Sequence, residues 1–399
     1  MLQLPRRLQS IDVFRAVTML LMIFVNDLWS DKGVPRWLEH ATRMEDALDF
    51  SDIIFPAFLF IVGLSIPFAI AARIERGAKR NDILFYIGVR SFALLLMGFF
   101  HVNLENYDKL GAFMPKPYWQ ILITVAFFLI WLDYSPKLEK AKKHFLQGTG
   151  ILILVVMAFF YRGLRQGHPI WMRPQWWGIL GLIGWAYLLC AVIYYFSKNR
   201  ISILIGSLVF FLLFNISFHA GWLDFLKPVR PYVWIVGDGS MPALTMAGVL
   251  VSVIYKNFSD KNSQSKIWAV FSLMAVAMLA GGFALRPLLD GISKIRATPS
   301  WVMICTAINI FSFMIFIYLV DVKQKQNSFA IIKPAGTSTL TAYLLPYIHY
   351  AIINIFYPAI LLPVIFRTGI TGIIKSFLYA LLIVMITGVL EKKRIRLKI

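Results

Sequence analysis

The sequence has 399 residues, 59% hydrophobic and only 15% charged, with 40 Lys and Arg against 20 Asp and Glu. Soluble globular chains run at about 45–50% apolar and about 25% charged, so this balance excludes a soluble enzyme and reads as an integral membrane protein. The formal net charge of +20 would suggest nucleic acid in a soluble chain. Here cytoplasmic loops that collect Lys and Arg account for it, and no nucleic-acid partner is expected.

A bilayer span takes about 20 mostly apolar residues. Backbone groups in lipid must bond within their own segment, so long apolar runs mean helices, and the alternating pattern of an outer-membrane barrel is absent. Twelve runs fit: 14–30, 53–72, 83–101, 118–133, 146–161, 177–197, 201–219, 240–256, 267–285, 300–321, 336–357 and 373–390. The stretch 336–367 could instead hold one helix and a re-entrant piece, so 11–12 helices are predicted. The expected fold class is all-α, a polytopic transmembrane helical bundle forming one domain over 1–399, without linker or internal repeat. The first run follows Arg6 and Arg7 as a signal peptide would, but it lacks a small-residue cleavage site and continues into NDLWSD, so it reads as a retained helix.

The clusters RIERGAKR (73–80), KLEKAKK (137–143) and EKKRIRLKI (391–399) fall on one side of these spans. By the positive-inside rule both termini are predicted cytoplasmic and the 31–51 loop outside. Cys190 and Cys305 lie within different apolar spans and read as small buried hydrophobes. Only SKNR (197–200) separates the sixth and seventh runs, whereas transporters built from two six-helix halves usually carry a long central loop there.

The outer stretches carry the chemistry. Residues 27–52 hold seven of the 20 acidic residues. Three further outer stretches, 161–177, 221–240 and 286–301, are rich in Trp, Pro and Arg. Part of this is the aromatic belt of a membrane interface. Tyr and Trp faces flanked by polar groups also hold carbohydrate, so these loops are candidates to line an acceptor site.

The strongest pattern is SIDVFRAVTMLLMIFVND (10–27), then His40, then DFSDIIFPAFLFIVGLSI (49–66). It resembles the heparan-α-glucosaminide N-acetyltransferase family within the transmembrane acyltransferase superfamily. Ser10, Asp12, Phe14, Arg15, Asn26, His40, Asp52, Phe55, Pro56, Phe58, Phe60, Gly63 and Ser65 stand at matching positions. RSFALLLMGFFHVN (90–103), GISKIRATPSWVM (291–303) and GTSTLTAYLLPYIHY (336–350) extend the resemblance, with Arg90, Asn103, Lys294, Pro299, Tyr343 and His349. Ala16 departs from the family's Gly, WQIL (119–122) lacks its Arg, and Ser338 replaces its Asn. The gap from His40 to Asp52 is two residues longer, and 146–219 holds what reads as an extra helix pair.

Acyl transfer from a thioester needs a base near the incoming amine or hydroxyl and donors for the developing oxyanion. His titrates near neutrality, and a carboxylate can fix its tautomer. The resemblance implies His40, Asp52 and Asn26 as catalytic residues. It implies Arg15, Arg90, Ser65 and Asn103 for the donor, acetyl-CoA, and no metal. Lys294, Asp238 and His349 are candidates on the acceptor side. Plainer readings stand beside each: a loop His is usually solvated, Asp52 could only cap a helix, and Asn26 could cap the end of its own. Arg15 and Arg90 could be snorkelling anchors, and His349 a satisfied core residue. The activity implied is transfer of acetyl from cytoplasmic acetyl-CoA to an amino sugar or glycan outside, in a bacterial inner membrane. A secondary transporter or flippase for a sugar or lipid-linked substrate is the alternative; an O-acyltransferase acting on envelope polysaccharide is a third. Expected partners are the donor, the acceptor, the lipid bilayer and, without a sequence feature to argue it, a second copy in a homodimer.

Overall fold

The computed structural model describes residues 8–29, 31–229, 232, 235–259, 264–356 and 364–399. Thirteen α-helices occur among them: α1 Gln9–Leu28, α2 Ile54–Glu75, α3 Arg80–Val102, α4 Lys116–Trp131, α5 Lys140–Phe159, α6 Gly178–Ser197 and α7 Ile201–His219, followed by α8 Ser240–Ser259, α9 Gln264–Leu285, α10 Pro299–Phe316, α11 Lys333–Thr337, α12 Thr339–Phe356 and α13 Gly369–Lys392. Each of the twelve apolar runs falls on a helix. The addition is α11, a single turn that Ser338 separates from α12. A re-entrant piece after α12 and the Arg6–Arg7 flank fall partly or wholly outside the described residues.

Ten of these helices are long and apolar enough to cross a bilayer, so the chain is an all-α polytopic membrane protein. Helix α4, 16 residues long, rises only about 24 Å. Helix α1 carries Asp12, Arg15 and Asp27 in its 20 residues and is not among the ten. Strand is confined to one hairpin among the described residues, β1 Gly163–Arg165 with antiparallel β2 His168–Ile170. Gln166 and Gly167 between them have φ of 51° and 80°, as a two-residue hairpin turn with two left-handed positions requires. No alternating pattern in 161–177 announces strands this short.

Residue contacts divide the chain into two compact units: Met1–Thr18, Pro35–Phe92 and Leu182–Ala330 form the first; Met19–Val34, Ala93–Gly181 and Ile331–Ile399 form the second. In the first unit α2 and α8 are the centre, 72% and 78% buried along their spans, whereas α7 and α9 bury 22% and leave the rest to lipid. Two glycines allow the central pair to meet. A Cβ at Gly63 would run into the carbonyl of Thr245, and one at Gly248 into that of Phe60, the small-residue contact by which membrane helices approach closely. Ser252 donates across the same seam to the Leu64 carbonyl at 3.0 Å. Phe14 of α1 stacks on Phe316 at 5.0 Å.

In the second unit α4 and α5 form a hairpin. Trp119 Nε1 donates to the Met157 carbonyl at 3.1 Å and Gln147 to that of Ile130 at 3.0 Å. Gln120 ties α4 to α12 through the Tyr347 carbonyl at 2.7 Å. The end of the chain is pinned as well: Leu397 bridges to Leu132, and Arg396 pairs with Asp133 at 3.0 Å.

Candidate active site

The 36–52 loop of the first unit is short of regular structure, so side chains must satisfy its backbone. Two single-turn 3₁₀ helices, Arg36–Leu38 and Phe50–Asp52, bracket it. Arg36 is the inner clamp, donating to the His40 carbonyl at 3.1 Å and to Asp49 at 2.8 Å, and pairing with Glu45. Ser51 Oγ donates to the Leu38 carbonyl at 2.5 Å, which closes the loop on itself. Asp46 is the outer clamp. It accepts from the Ile292 backbone N–H at 2.6 Å and from Arg286 Nε at 2.8 Å, while Ala47 N–H donates to the Ile292 carbonyl at 3.1 Å. Gly291, at φ 68°, permits this, since a Cβ there would lie 2.6 Å from Asp46 Cγ. The 286–298 segment is thus bound to the loop, and it carries Lys294.

These clamps set the electrostatics. The Ile292 N–H, with Arg286 helping, holds the Asp46 carboxyl below the usual range. The Thr42 N–H does the same for Glu45. Burial pushes Asp49 up, against the pull of Arg36. Hydrogen bonds to a carboxylate favour its charged form, and burial disfavours it.

His40, Asp52 and Lys294 come together. His40 Nδ1 lies 2.7 Å from Asp52 Oδ1. Asp52, its side chain 1% exposed, spends its other oxygen on the backbone N–H groups of Ala41 at 3.1 Å and Asp49 at 3.3 Å. Its carbonyl accepts from Trp301 Nε1 at 3.2 Å, and Trp301 is fully buried. Both the carboxylate and the backbone of Asp52 are therefore fixed. A carboxylate on Nδ1 favours the tautomer with the ring proton on that nitrogen and the lone pair on Nε2. The His40 side chain is 24% exposed, so the ring is held on one edge and reachable on the other. Lys294 Nζ lies 3.2 Å from Nδ1, 3.5 Å from Nε2 and 3.9 Å from Asp52 Oδ1. Burial pulls the Lys294 ammonium below its ordinary value, and the Asp52 carboxylate opposes that shift. Asp52 also turns a 3₁₀ end, since its side chain takes the Asp49 N–H, so capping and orientation of His40 coexist in one residue.

The other candidates are placed as follows. In the first unit Arg15 donates to Asp12 at 3.0 Å and to Ser65 Oγ at 2.6 Å, so two donor-side candidates meet directly. Arg90 donates to the Tyr86 hydroxyl at 2.8 Å and lies 5.1 Å from the Tyr187 ring centroid. Asp238 accepts from the Ser240 N–H at 3.0 Å and from its hydroxyl, an Asx turn leading into α8. In the second unit Asn26 is exposed on α1. Asn103 is fully buried and bonds reciprocally to Arg173, Nδ2 to its carbonyl at 2.9 Å and Oδ1 from its N–H at 3.1 Å, latching the hairpin loop. His349 packs its ring 5.0 Å from that of Tyr379.

Sequence reasoning missed a second ionic centre. In the second unit Lys375 Nζ lies 2.7 Å from Asp27 and 3.1 Å from Asp31. Ser376 Oγ lies between the same two carboxylates at 2.8 and 3.1 Å, and Tyr350 donates to Asp27 at 2.6 Å. The available signal was Lys375 itself, an ionisable residue inside an apolar span.

Over 104 residues the chain is 38% identical to the heparan-alpha-glucosaminide N-acetyltransferase of Homo sapiens, a match covering 26% of this chain and 15% of that protein. To the enzyme of the same name from Mus musculus it is 35% identical over 101 residues, 25% of this chain and 14% of the relative. The chain thus spans far less than two thirds of either relative. A family model, described as a domain of unknown function (DUF5009), matches residues 7–236, more than half of the sequence, and the chain belongs to that family.

Proposed function

We propose that this membrane protein is an acetyltransferase that moves an acetyl group from acetyl-CoA on the cytoplasmic side to an amino sugar or glycan on the other, in a bacterial inner membrane. The observation that carries the reading is the dyad of His40 and Asp52, a ring fixed by a buried carboxylate at 2.7 Å with an ammonium beside it. As general base, Nε2 takes the proton of the acceptor amine or hydroxyl while its nitrogen or oxygen attacks the thioester carbonyl, and CoA leaves as thiolate. As acyl carrier, Nε2 attacks first and the acetyl-imidazole passes the group on. Both routes develop negative charge on the thioester oxygen, and Lys294 is the cation at hand. Arg15 and Ser65 are assigned to the donor. The parts assigned to Asn26, Asn103, Asp238 and His349 rest on the resemblance or on their loop positions, not on contacts with His40.

Purified protein incubated with radiolabelled acetyl-CoA and a panel of amino sugars tests this. Labelled sugar that depends on His40 is the expected result; no transfer to any acceptor, with the protein folded, refutes the reading. The Asp27–Asp31–Lys375 centre favours a second one, since buried ionisable groups in spans are where transporters couple ions to transport. Substrate uptake into proteoliposomes by the wild-type protein, without acetyl-CoA, would move the assignment to a transporter.

A further inference from the structure

Arg73 and Arg90 of the first unit converge on one phenol. The Arg73 guanidinium lies 3.2 Å from the centroid of the Tyr86 ring and donates to the Ala69 carbonyl at 3.2 Å. Arg90 reaches the hydroxyl of the same Tyr86 at 2.8 Å, with the Tyr187 ring 5.1 Å away. Neither is in an ion pair among the described residues. The nearby acids in sequence, Glu75 and Asp82, are exposed, and Asp82 accepts instead from the Lys79 N–H at 3.1 Å. Arg90 Nε is buried and lacks a hydrogen-bond partner.

This is not how an anchoring Arg behaves. A snorkelling side chain runs its stem along apolar surface and ends with its head in water. The Arg90 head ends against Tyr86 and against Tyr187, itself 4% exposed. Two guanidinium groups held near one ring repel each other, and a buried charge without a partner is costly. An anion between them removes both penalties. The aromatic faces hold the planar guanidinium groups flat, leaving their N–H edges for a ligand with several oxygens.

We propose that Arg73 and Arg90, with Tyr86 and Tyr187, form a site for a phosphate oxyanion at the end of α2 and the first half of α3. The phosphate is carried either by the headgroup of an anionic phospholipid or by a free nucleotide such as CoA. Arg76, Lys79 and Arg80, all exposed, add the outer positive field that would draw such a ligand in. The CoA arm rests on the transferase reading and the lipid arm does not, and binding is read separately from transfer.

The test is thermal unfolding of the full chain in neutral detergent, titrated separately with dihexanoyl-phosphatidylglycerol, CoA, and dihexanoyl-phosphatidylcholine as the zwitterionic control. Saturable stabilisation by the glycerol lipid or by CoA, exceeding that by the choline lipid, is expected. Arg90→Gln and Arg73→Gln should each weaken it about tenfold or more, as loss of a charge-assisted contact does. A response to the lipid alone assigns the headgroup, a response to CoA alone assigns the nucleotide, and competition between them assigns one shared site; each supports the proposal. If Arg90→Gln does not fold, Arg73→Gln, over the face of the ring, carries the test. No stabilisation by the glycerol lipid or CoA beyond that by the choline lipid, or equal stabilisation of wild type and variants, overturns it and returns both arginines to anchoring.

Discussion

Two buried carboxylate centres, one in each unit, use opposite designs. Asp52 is satisfied by two backbone N–H groups and one imidazole, and that imidazole keeps a reachable edge. Asp27 and Asp31 are satisfied by an ammonium and two hydroxyls, and the Asp31 side chain is wholly unexposed. In the first, the carboxylate orients a ring that stays 24% exposed, with the Lys294 ammonium 3.2 and 3.5 Å from its two nitrogens. In the second, acids and cation consume each other. Burial of charge is common to both, so burial alone does not mark a reactive site; an oriented titratable ring that solvent can still reach does. The comparison predicts that damage at the first centre appears in rate and damage at the second in stability.

His40→Ala should give the largest effect. A general base contributes on the order of 10²–10⁴ in rate, so transfer to a verified acceptor should fall by that factor while the fold survives, because Asp52 keeps its two backbone donors. Near-normal turnover would remove His40 from the chemistry. Lys375→Met comes next. Removing one partner of a buried ion pair costs about 3–5 kcal/mol, and here it strands two carboxylates. Thermal unfolding in detergent should drop by many degrees, with partial recovery when Asp31→Asn is added. If Lys375→Met unfolds like wild type, the centre is open to water and the contrast fails. Asp52→Asn keeps shape and most hydrogen bonds but no longer fixes the tautomer. It should lower turnover about tenfold or more, short of the loss of about 10²–10⁴ on removing the base itself, with little change in donor KM.

The helices were legible because length and apolarity decide them almost alone in lipid. All twelve runs met a helix, and the errors are local. Ser338 breaks the eleventh run into α11 and α12, and α10 runs on through a π-helical segment, Ile317–Val322, that no period in MICTAINIFSFMIFIYLV announces. The dyad was legible through the motif that joins His40 to Asp52, twelve residues on. Lys294 was named through the resemblance, but its tethers were not legible: Arg286 and the Gly291–Ile292 turn reach the loop from about 240 residues away, and nothing local in sequence encodes that closure. Lys375 and Asp27 are 348 apart, and each reads singly as a charge near a helix end. Asp238 read as acidic in an aromatic loop, and the structure gives it the Ser240 donors of a helix start.

The smallest effect expected concerns how the loop is held, and it has a definite sign in pH. The Asp46 carboxyl is held below its ordinary value by the Ile292 N–H first and by Arg286 second. A carboxyl depressed in the folded state contributes stability that is complete above its unfolded value, about 3.9, and is lost as pH falls through the lower folded value. The tether between the 36–52 loop and the 286–298 segment should therefore hold at neutrality and loosen below about pH 4. Asp46 is 45% exposed, so solvent screens the pair and the contribution is about 0.2–1 kcal/mol. Hydrogen exchange of the Ala47 and Ile292 amides is the measurement, since both bonds cross the tether. Protection of these two amides, corrected for the intrinsic pH dependence of exchange, should fall in that acid window in wild type. In Asp46→Asn, which cannot ionise, protection should be lower throughout and the step absent. Asp49 works in the opposite sense, because burial raises it, so a charged Asp49 costs the folded loop stability above its unfolded value. A step that survives Asp46→Asn would assign the acid response to another carboxylate and leave the tether to the Ala47–Ile292 backbone bond alone.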